Sequence, residues 1–440
     1  MKAFTEPLLE LEEFQNIQQT LKNSSVQVTG CIDAQKAHFI YAAGEKAKKK
    51  LIVTYSELRA KELCENYRLF DKNVRFYPAK DLIFYSADVQ GNLLVQQRIQ
   101  VLQKLAEEEE VTVITTMGGI MDRLLPPEMF QNQVETVEND AGFDMELWKK
   151  KLTAMGYERT GQVEGSGQFA VRGGILDIFP LTEENPVRIE LWGDEIDSIR
   201  SFDVESQRSI ENLDSIRIYP ASEFTAGEER IQSGLKQMKK EAQKLSEKFR
   251  KEHKTEEAAR VLSVVEEAKQ NLQEWKQMSA LDGLISYFYD RTVSFAEYFP
   301  EDTLVVLDEP NRLWEEAQAI EGEFRESMAN RLEKGYVLPG QMNLLYESQR
   351  AAEKLQKYRC MGLCMLEGAG MQWQFAGHFS MDVRSVNTYN NRFELLVKDL
   401  QQWKKKGERV ILLCGSRTRA KRLAEDLRDQ ELRAFYSEDL

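Results

Sequence analysis

Two groups of residues have the types and the spacing of a nucleotide-hydrolysing site. Residues 30–37 follow a short apolar run and have the sequence GCIDAQKA, which has the length and the lysine of the phosphate-binding loop G-x-x-x-x-G-K-[ST]. Asp308 and Glu309 end the apolar run 304–307, as does the acidic pair that holds Mg²⁺ in enzymes with such a loop. An acidic strand end without a catalytic role explains the same two carboxylates.

The loop departs from the phosphate-binding motif at two defining positions. Gly30 and Lys36 fit, but Gln35 replaces the glycine that lets backbone N–H groups approach a phosphate, and Ala37 replaces the hydroxyl that binds Mg²⁺. Asp33 adds a negative charge where phosphate oxygens would lie. We therefore expect ATP binding to be weak or absent, which leaves Asp308 and Glu309 without a magnesium nucleotide to serve.

A third group lies in two strand-like segments at 167–180 and 186–203. Arg172 precedes the pair Gly173-Gly174, which can bend the strand and direct the guanidinium outward, and Arg159 lies in the strand-like run before it.

Side chains alternate along residues 187–192, so that one face carries Val187, Ile189 and Leu191 and the other carries Arg188, Glu190 and Trp192. Arginine guanidinium groups that lie beside a carboxylate and apolar side chains are typical of a protein-binding surface. Solvated charges at a sheet edge are the alternative.

Other candidate groups are weaker. Cys360 and Cys364 have no second pair at zinc-ligand spacing, and the histidines have no serine or cysteine partner in a recognisable catalytic motif, so we expect neither a metal site nor a hydrolase triad. The basic segments 404–406 and 417–422 are consistent with direct DNA binding or with solvated helix faces.

Composition limits the class of protein. The 440 residues are 42% hydrophobic and 30% charged, which indicates packed cores, and the net charge of −14 excludes a polybasic nucleic-acid binder. The sequence contains no signal-peptide pattern and no apolar run long enough to span a membrane. Five scattered cysteines fit a reducing compartment, and we expect a cytoplasmic protein with no membrane contact.

The order of predicted elements indicates an α/β multidomain chain. Strands near 26–30, 50–54 and 111–116 alternate with helices at 56–70 and 93–105, which predicts a parallel sheet. Turn-rich alternating segments up to about 220 predict an inserted α+β domain, and 225–278 predicts one or two long solvated helices. The first sheet resumes at 302–309, and a strand at 409–414 followed by a basic helix begins a further α/β unit, too short to be complete, so we expect a fragment.

The stretch FAVRGGILDIFP, followed by VRIELWGDEIDSIRSFD, resembles the transcription-repair coupling factors (Mfd) and, more distantly, UvrB. The resemblance extends from about Asn23 to about Arg312 and again over 409–422. It implies a degenerate RecA-like, helicase-type domain in two sequence pieces, with a UvrA-docking domain inserted between them. The implied division is domain 1A at 1–130, domain 2 at 131–220, domain 1B at 221–350, a linker at 351–385 and a partial domain 3 at 386–440.

Two departures from UvrB separate the chain from a UvrB-type motor. The decayed loop at 30–37 replaces an intact phosphate loop, and the chain passes from Pro78 to Asn92 without the long aromatic hairpin of UvrB. The resemblance therefore implies a non-catalytic interaction module that holds no cofactor. The alternative is a UvrB-like ATPase or helicase subunit that retains activity through Lys36, Asp308 and Glu309.

The resemblance also implies which residues bind UvrA. Position by position, the UvrB-type docking surface corresponds here to Arg159, Arg172, Arg188 and Glu190, with Ile175 and Leu176 as apolar neighbours. Ala170 stands where UvrB has a further arginine, so the energetics of docking are expected to differ.

Further partners are implied only for the complete proteins of this family. The resemblance implies that the complete proteins bind RNA polymerase and double-stranded DNA through downstream regions. A motor in those regions uses ATP and Mg²⁺ to move along the DNA and displace stalled polymerase. The module that corresponds to this chain is implied to mask domain 2 by intramolecular contacts until the motor engages.

Overall fold

The computed structural model describes residues 2–80, 91–139, 142–274, 278–366, 372–390 and 392–438. The strands are β1 Val26–Thr29, β2 Lys49–Thr54, β3 Val74–Tyr77, β4 Val111–Thr116, β5 Arg123–Leu124, β6 Glu135–Glu138, β7 Glu158–Arg159, β8 Gln168–Arg172, β9 Ile175–Ile178, β10 Val187–Trp192, β11 Glu195–Phe202, β12 Ser209–Leu213, β13 Ser215–Ile218, β14 Val293–Ser294, β15 Leu304–Asp308, β16 Arg359–Leu363 and β17 Gly377–Ser380. The α-helices are α1 Lys2–Leu9, α2 Glu12–Leu21, α3 Asp33–Ala43, α4 Glu57–Tyr67, α5 Gly91–Glu107, α6 Met117–Met121, α7 Pro127–Gln131, α8 Met145–Ala154, α9 Glu228–Lys251, α10 Thr255–Lys269, α11 Ile285–Phe288, α12 Pro310–Glu333, α13 Ser348–Leu355, α14 Phe393–Lys406 and α15 Arg417–Asp429.

The largest sheet has seven strands in the order β17-β1-β16-β15-β2-β4-β3, and the pairs that join them are parallel. The strands β2, β4 and β15 are buried on both faces apart from the first residue of β2, as expected of a parallel sheet covered by helices. Along β15, Val305 and Leu307 pack in one core while Leu304 and Val306 pack in the core on the opposite face. The predicted α/β class with a parallel sheet is confirmed.

The predicted linker at 351–385 is wrong. It contains β16, which lies between β1 and β15, and β17, which pairs with the outer side of β1 at the sheet edge. The glycine and methionine content of this stretch suggested a connector, but Cys360, Met361 and Leu363 are buried in the cores around the sheet. Gly362 has no room for a side chain, because a Cβ there would lie 2.6 Å from the Phe375 ring.

The inserted region forms a separate six-stranded sheet in the order β12-β11-β10-β9-β8-β7. Its pairs are antiparallel apart from the parallel pair of β7 and β8. Helix α8 packs Trp148 and Leu152 against one face of this sheet, where they share a core with Phe169, Leu176 and Ile189. The other face of the sheet carries the charged residues considered below.

The predicted long helical region contains two helices, α9 and α10, which pack as an antiparallel hairpin with a common apolar core. The core joins this hairpin to α11 and to part of α12. Among the described residues, no helix is long and apolar enough to cross a membrane. The hairpin that distinguishes UvrB was expected to be absent between Pro78 and Asn92, but residues 81–90 lie outside the described part of the chain.

The predicted strand at 409–414 is wrong. Residues 410–413 lie between α14 and α15 without regular secondary structure, and they have no strand neighbour in the part of the chain that the structure describes. Their side chains are 39–48% exposed. An apolar run forms a strand only where another strand accepts and donates its backbone hydrogen bonds, and the sequence pattern does not report that neighbour. The basic helix predicted after it is present as α15.

Candidate functional site

Lys36 lies at the centre of a buried ion-pair cluster. A three-residue turn at 30–32 joins β1 to α3, and Lys36 lies in the first turns of that helix with its side chain fully buried. Its Nζ atom lies 2.6 Å from Asp308 Oδ1, 2.6 Å from Glu309 Oε1 and 3.2 Å from Asp33 Oδ1. Burial lowers the pKa of Lys36, but Asp308 and Glu309 outweigh it and raise the pKa above its ordinary value.

Arg59 brings a second cation to the same carboxylates. Its Nε donates to Asp308 Oδ2 at 3.1 Å, and its Nη2 lies 3.2 Å from Asp33 Oδ1. Asp33, Lys36, Arg59, Asp308 and Glu309 are called the ion-pair cluster from here on. Each of the three carboxylates in it already contacts a cation of this chain, so each has an ionic partner without a bound ligand.

Glu309 is held in an unusual backbone conformation to take part in the ion-pair cluster. Its φ of 58° lies in the left-handed region, which is unfavourable for a residue with a side chain. The backbone N–H of Glu309 donates to Leu363 O at 2.9 Å, and its Oε1 accepts from the Met365 N–H at 2.9 Å. These contacts with β16 and the residues after it fix the carboxylate that binds Lys36.

The geometry at the predicted nucleotide loop does not fit ATP with Mg²⁺. Gly30 has φ +79°, and a Cβ there would lie 2.0 Å from the Met381 carbonyl oxygen, so the backbone after β17 passes directly over the turn. Gln35 and Ala37 lie within α3, and Ala37 is buried. The Lys36 ammonium, which would bind phosphate in an active site, contacts carboxylates instead.

The outward face of the inserted sheet is organised around Asp177, which is only 1% exposed. Arg172 Nη2 donates to Asp177 Oδ2 at 2.7 Å, while Arg188 donates from Nε to Oδ1 at 2.6 Å and from Nη2 to Oδ2 at 3.0 Å. Arg188 also donates to Gln207 Oε1 at 3.1 Å and lies over the Phe202 ring. Asp177 therefore holds two guanidinium groups side by side in fixed orientations.

The strand register places further residues on this face. Arg172 is opposite Ile175, and Ile175 is opposite Glu190, so the three form a row across β8, β9 and β10. Glu190 forms an ion pair with Arg200, and Trp192 lies at the end of the same strand with 83% of its surface exposed. We call the set Arg172, Ile175, Asp177, Arg188, Glu190 and Trp192 the outward face.

Two predicted docking residues do not lie on the outward face. Leu176 is fully buried in the core below the sheet, because successive strand residues point to opposite sides. Arg159 is exposed but is in register with the core-facing Phe169, and it lies near α8, where it helps Lys149 to lower the pKa of Glu146. Arg159 is therefore on the opposite side of the sheet from Arg172.

Sequence reasoning did not select Asp177 or Trp192 as site residues. Alternation along β10 did place Trp192 on the same side as Arg188 and Glu190, and that was the signal that could have identified it. Asp177 lies inside an apolar stretch, and its role depends on the pairing of β9 with β8 and β10. A single sequence does not give that pairing.

Comparison with known proteins identifies relatives of both regions. Residues 136–224 match the family described as the UvrB interaction domain. The chain is 29% identical over 401 residues to the transcription-repair-coupling factor of Bacillus subtilis, with 90% of this chain and 33% of that protein covered. The factor of Staphylococcus epidermidis is 27% identical over 95% of this chain and 35% of its own length, and that of Staphylococcus aureus is 26% identical over 98% and 37%.

The similarity extends through both the large parallel sheet and the inserted sheet, and the chain spans about a third of the length of the curated relatives it matches. The chain is therefore similar to a part of the transcription-repair-coupling factors, and its residues 136–224 are similar to the UvrB interaction domain.

Proposed function

We propose that this chain is a non-catalytic module that recruits UvrA in a protein that couples stalled transcription to nucleotide excision repair. The observation that carries the proposal is the outward face of the inserted sheet, which lies inside the match to the UvrB interaction domain at 136–224. The names of the relatives support a role in coupling transcription to repair.

The outward face has the properties of a docking surface. Arg172 is 47% exposed and Trp192 is 83% exposed, and these two residue types are enriched among the side chains that dominate binding energies. Asp177 holds the guanidinium of Arg172 in place, so binding loses less side-chain entropy than it would with a free arginine. Glu190 provides a negative charge beside the arginines, which favours a partner with carboxylates and a cation at matching positions.

The ion-pair cluster favours the hypothesis of a non-catalytic module over the hypothesis of a UvrB-like ATPase. For Lys36 to bind a phosphate, its ammonium would have to leave both Asp308 and Glu309, which would leave Asp308 with Arg59 alone and the partly buried Glu309 without the cation that it contacts. The segment at Met381 would also have to move away from Gly30. We propose that this chain binds neither ATP nor Mg²⁺.

The remaining roles belong to the complete protein. We propose that it is a cytoplasmic, ATP-dependent translocase on double-stranded DNA. Its motor lies outside this chain and uses ATP and Mg²⁺ to displace stalled RNA polymerase. Intramolecular contacts in the complete protein are proposed to mask the outward face until the motor engages. Support for these roles comes from the names of the relatives and from the resemblance of the sequence.

Calorimetric titration of the chain with UvrA tests the recruitment proposal. We expect saturable binding that Trp192→Ala weakens by about 2 kcal/mol or more, as for a large exposed anchor. Lys150→Ala is the matched control, because Lys150 is an exposed cation on α8, which covers the other side of the same sheet. Equal affinities of the wild type, Trp192→Ala and Lys150→Ala would place UvrA elsewhere, and ATP turnover by the purified chain would favour the ATPase.

A further inference from the structure

Helix α9 carries a row of lysines that differs from the rest of this acidic chain. Lys236, Lys240, Lys244 and Lys251 are exposed, and at 3.6 residues per turn they lie within about a quarter of the helix circumference. The buried residues of α9, which include Met238 and Ala242, lie on the opposite side of the helix. The four lysines are called the α9 basic stripe; the whole chain has a net charge of −14.

The lysines of the α9 basic stripe are not neutralised within the molecule. In the described part of the chain, none of the four forms an ion pair with a carboxylate, although exposed lysines on other helices do so, such as Lys61 with Glu57 and Lys269 with Glu266. The α9 residues Lys239 and Arg250 are also exposed and flank the stripe. The row is therefore a local concentration of positive charge that has no ion pair within the described part of the chain.

The surface of α9 does not resemble a protein-docking surface. Its exposed positions hold lysine, arginine, glutamine, serine and glutamate, and no large apolar side chain of α9 is exposed. Protein interfaces are enriched in aromatic residues and arginine and depleted in lysine, glutamate and serine, whereas nucleic-acid backbones are bound by exposed lysines and arginines.

The dimensions of the row fit a duplex backbone. From Lys236 to Lys251 the helix rises by about 22 Å at about 1.5 Å per residue. A duplex carries one phosphate charge per about 1.7 Å of its axis, so the stripe spans about a dozen phosphates. We propose that the α9 basic stripe binds the sugar-phosphate backbone of a nucleic-acid duplex without reading its sequence.

This site is distinct from the outward face of the inserted sheet and does not depend on UvrA. It is also distinct from the basic segments at 404–406 and 417–422. Between Lys236 and Lys251, Glu247 is the one carboxylate within the angular range of the stripe, and its position on the exposed side of α9 predicts that it weakens the binding of phosphates.

Fluorescence titration of a labelled 25-base-pair DNA duplex with the full chain tests the proposal. Each lysine that contacts a phosphate contributes about 0.9 to the slope of log affinity against log salt concentration. Replacing two lysines, as in the double variant Lys240→Gln with Lys244→Gln, should therefore reduce the slope by about 2 and weaken binding. Glu247→Gln should tighten binding.

The matched control is Lys46→Gln with Lys72→Gln, which makes the same change of net charge at two exposed lysines outside α9 and outside the basic segments 404–406 and 417–422. We expect this control to bind DNA as the wild type does. Equal losses in the two double variants, or an unchanged slope in the α9 variant, would overturn the assignment. A duplex RNA of the same length should bind with a similar slope, whereas binding of polyglutamate in preference to either duplex would overturn it in favour of an acidic protein partner. Thermal melts of all variants verify that the fold is kept.

Discussion

The ion-pair cluster of the large sheet and the outward face of the inserted sheet are built from the same chemistry. In each, a buried aspartate receives two cations: Asp308 binds Lys36 and Arg59, and Asp177 binds Arg172 and Arg188. The aspartates are 0% and 1% exposed. The cations differ, because Lys36 and Arg59 are 0% and 7% exposed whereas Arg172 is 47% exposed.

That difference separates a structural role from a binding role. A cation that is buried with its partner has no surface left for a ligand, and removing it leaves a charge in a medium of low polarity. A guanidinium that is fixed by one buried oxygen but open on its other side keeps free donors and a fixed orientation. The first arrangement replaces a nucleotide site, and the second supports a docking site.

The largest expected effect is a loss of stability in the ion-pair cluster. Lys36→Met keeps the length of the side chain but removes the ammonium from Asp308 and Glu309. We expect the free energy of unfolding to fall by about 3–5 kcal/mol, the range for breaking a buried pair from one side. Denaturant unfolding followed by circular dichroism measures this change.

Lys61→Met is the control for that experiment. Lys61 also pairs with a glutamate, Glu57 at 3.2 Å, but its side chain is 58% exposed. Its loss should cost no more than about 0.5 kcal/mol, as for exposed helix pairs. A similar small cost for Lys36→Met would show that the ion-pair cluster does not stabilise the fold. The cluster would then not differ from the outward face in having a structural role.

The next effect is a loss of binding without a loss of stability on the outward face. Arg172→Ala should weaken the affinity for UvrA by about 2–4 kcal/mol if the arginine lies at the centre of the interface. The melting temperature should stay within the range that corresponds to about 0.5 kcal/mol, because Arg188 continues to bind both oxygens of Asp177. Calorimetric titration paired with thermal melts measures both quantities.

A joint loss of affinity and stability in Arg172→Ala would mean that Arg172 is structural, like Lys36. Unchanged affinity would exclude it from the docking surface. Arg159→Ala is an informative companion, since Arg159 lies on the other side of the sheet. The resemblance to UvrB predicts that this variant also weakens binding, whereas the strand register predicts that it does not.

Much of the fold could be predicted from the sequence because the parallel sheet leaves a strong pattern. The run 304–307 is continuously apolar and the run 111–116 is rich in valine, isoleucine and threonine, and they form β15 and β4. The strand at 359–363 was missed because its composition resembles a connector, and the strand at 409–414 was overpredicted because an apolar run does not reveal whether a neighbour exists. Both errors concern pairing between distant segments.

The candidate site was predicted where it depends on alternation within one strand. Arg188, Glu190 and Trp192 share a face as the period of two requires. The contact between Asp177 and two arginines, and the contact of Lys36 with Asp308, depend on long-range register. The last two residues are 272 positions apart, and no local pattern in the sequence encodes their distance.

A smaller effect is expected when a metal ion takes the place of the Lys36 ammonium in a variant that lacks this lysine. Carboxylate oxygens of Asp33, Asp308 and Glu309 lie within 4.8 Å of one another, the arrangement of a divalent-cation site, but Lys36 contacts all three residues. In Lys36→Ala, we expect Mn²⁺ to stabilise the fold, by about 2.7 kcal/mol at a hundredfold excess over Kd. The wild type should not respond. A melting temperature of Lys36→Ala that does not change with Mn²⁺ would show that the lysine does not stand in for a metal.

The smallest expected effect is that of ATP with Mg²⁺ on the wild-type chain, where no rise in melting temperature should occur. A site that was occupied at a hundredfold excess over Kd would add about 2.7 kcal/mol, which a thermal melt detects easily. Gln35→Gly with Ala37→Thr should not restore the response, because these positions lie inside α3 and the Met381 carbonyl still covers Gly30. A stabilisation that rises with ATP concentration in the wild type would contradict the contrast between the two regions, since a closed ion-pair cluster leaves no ammonium for a phosphate.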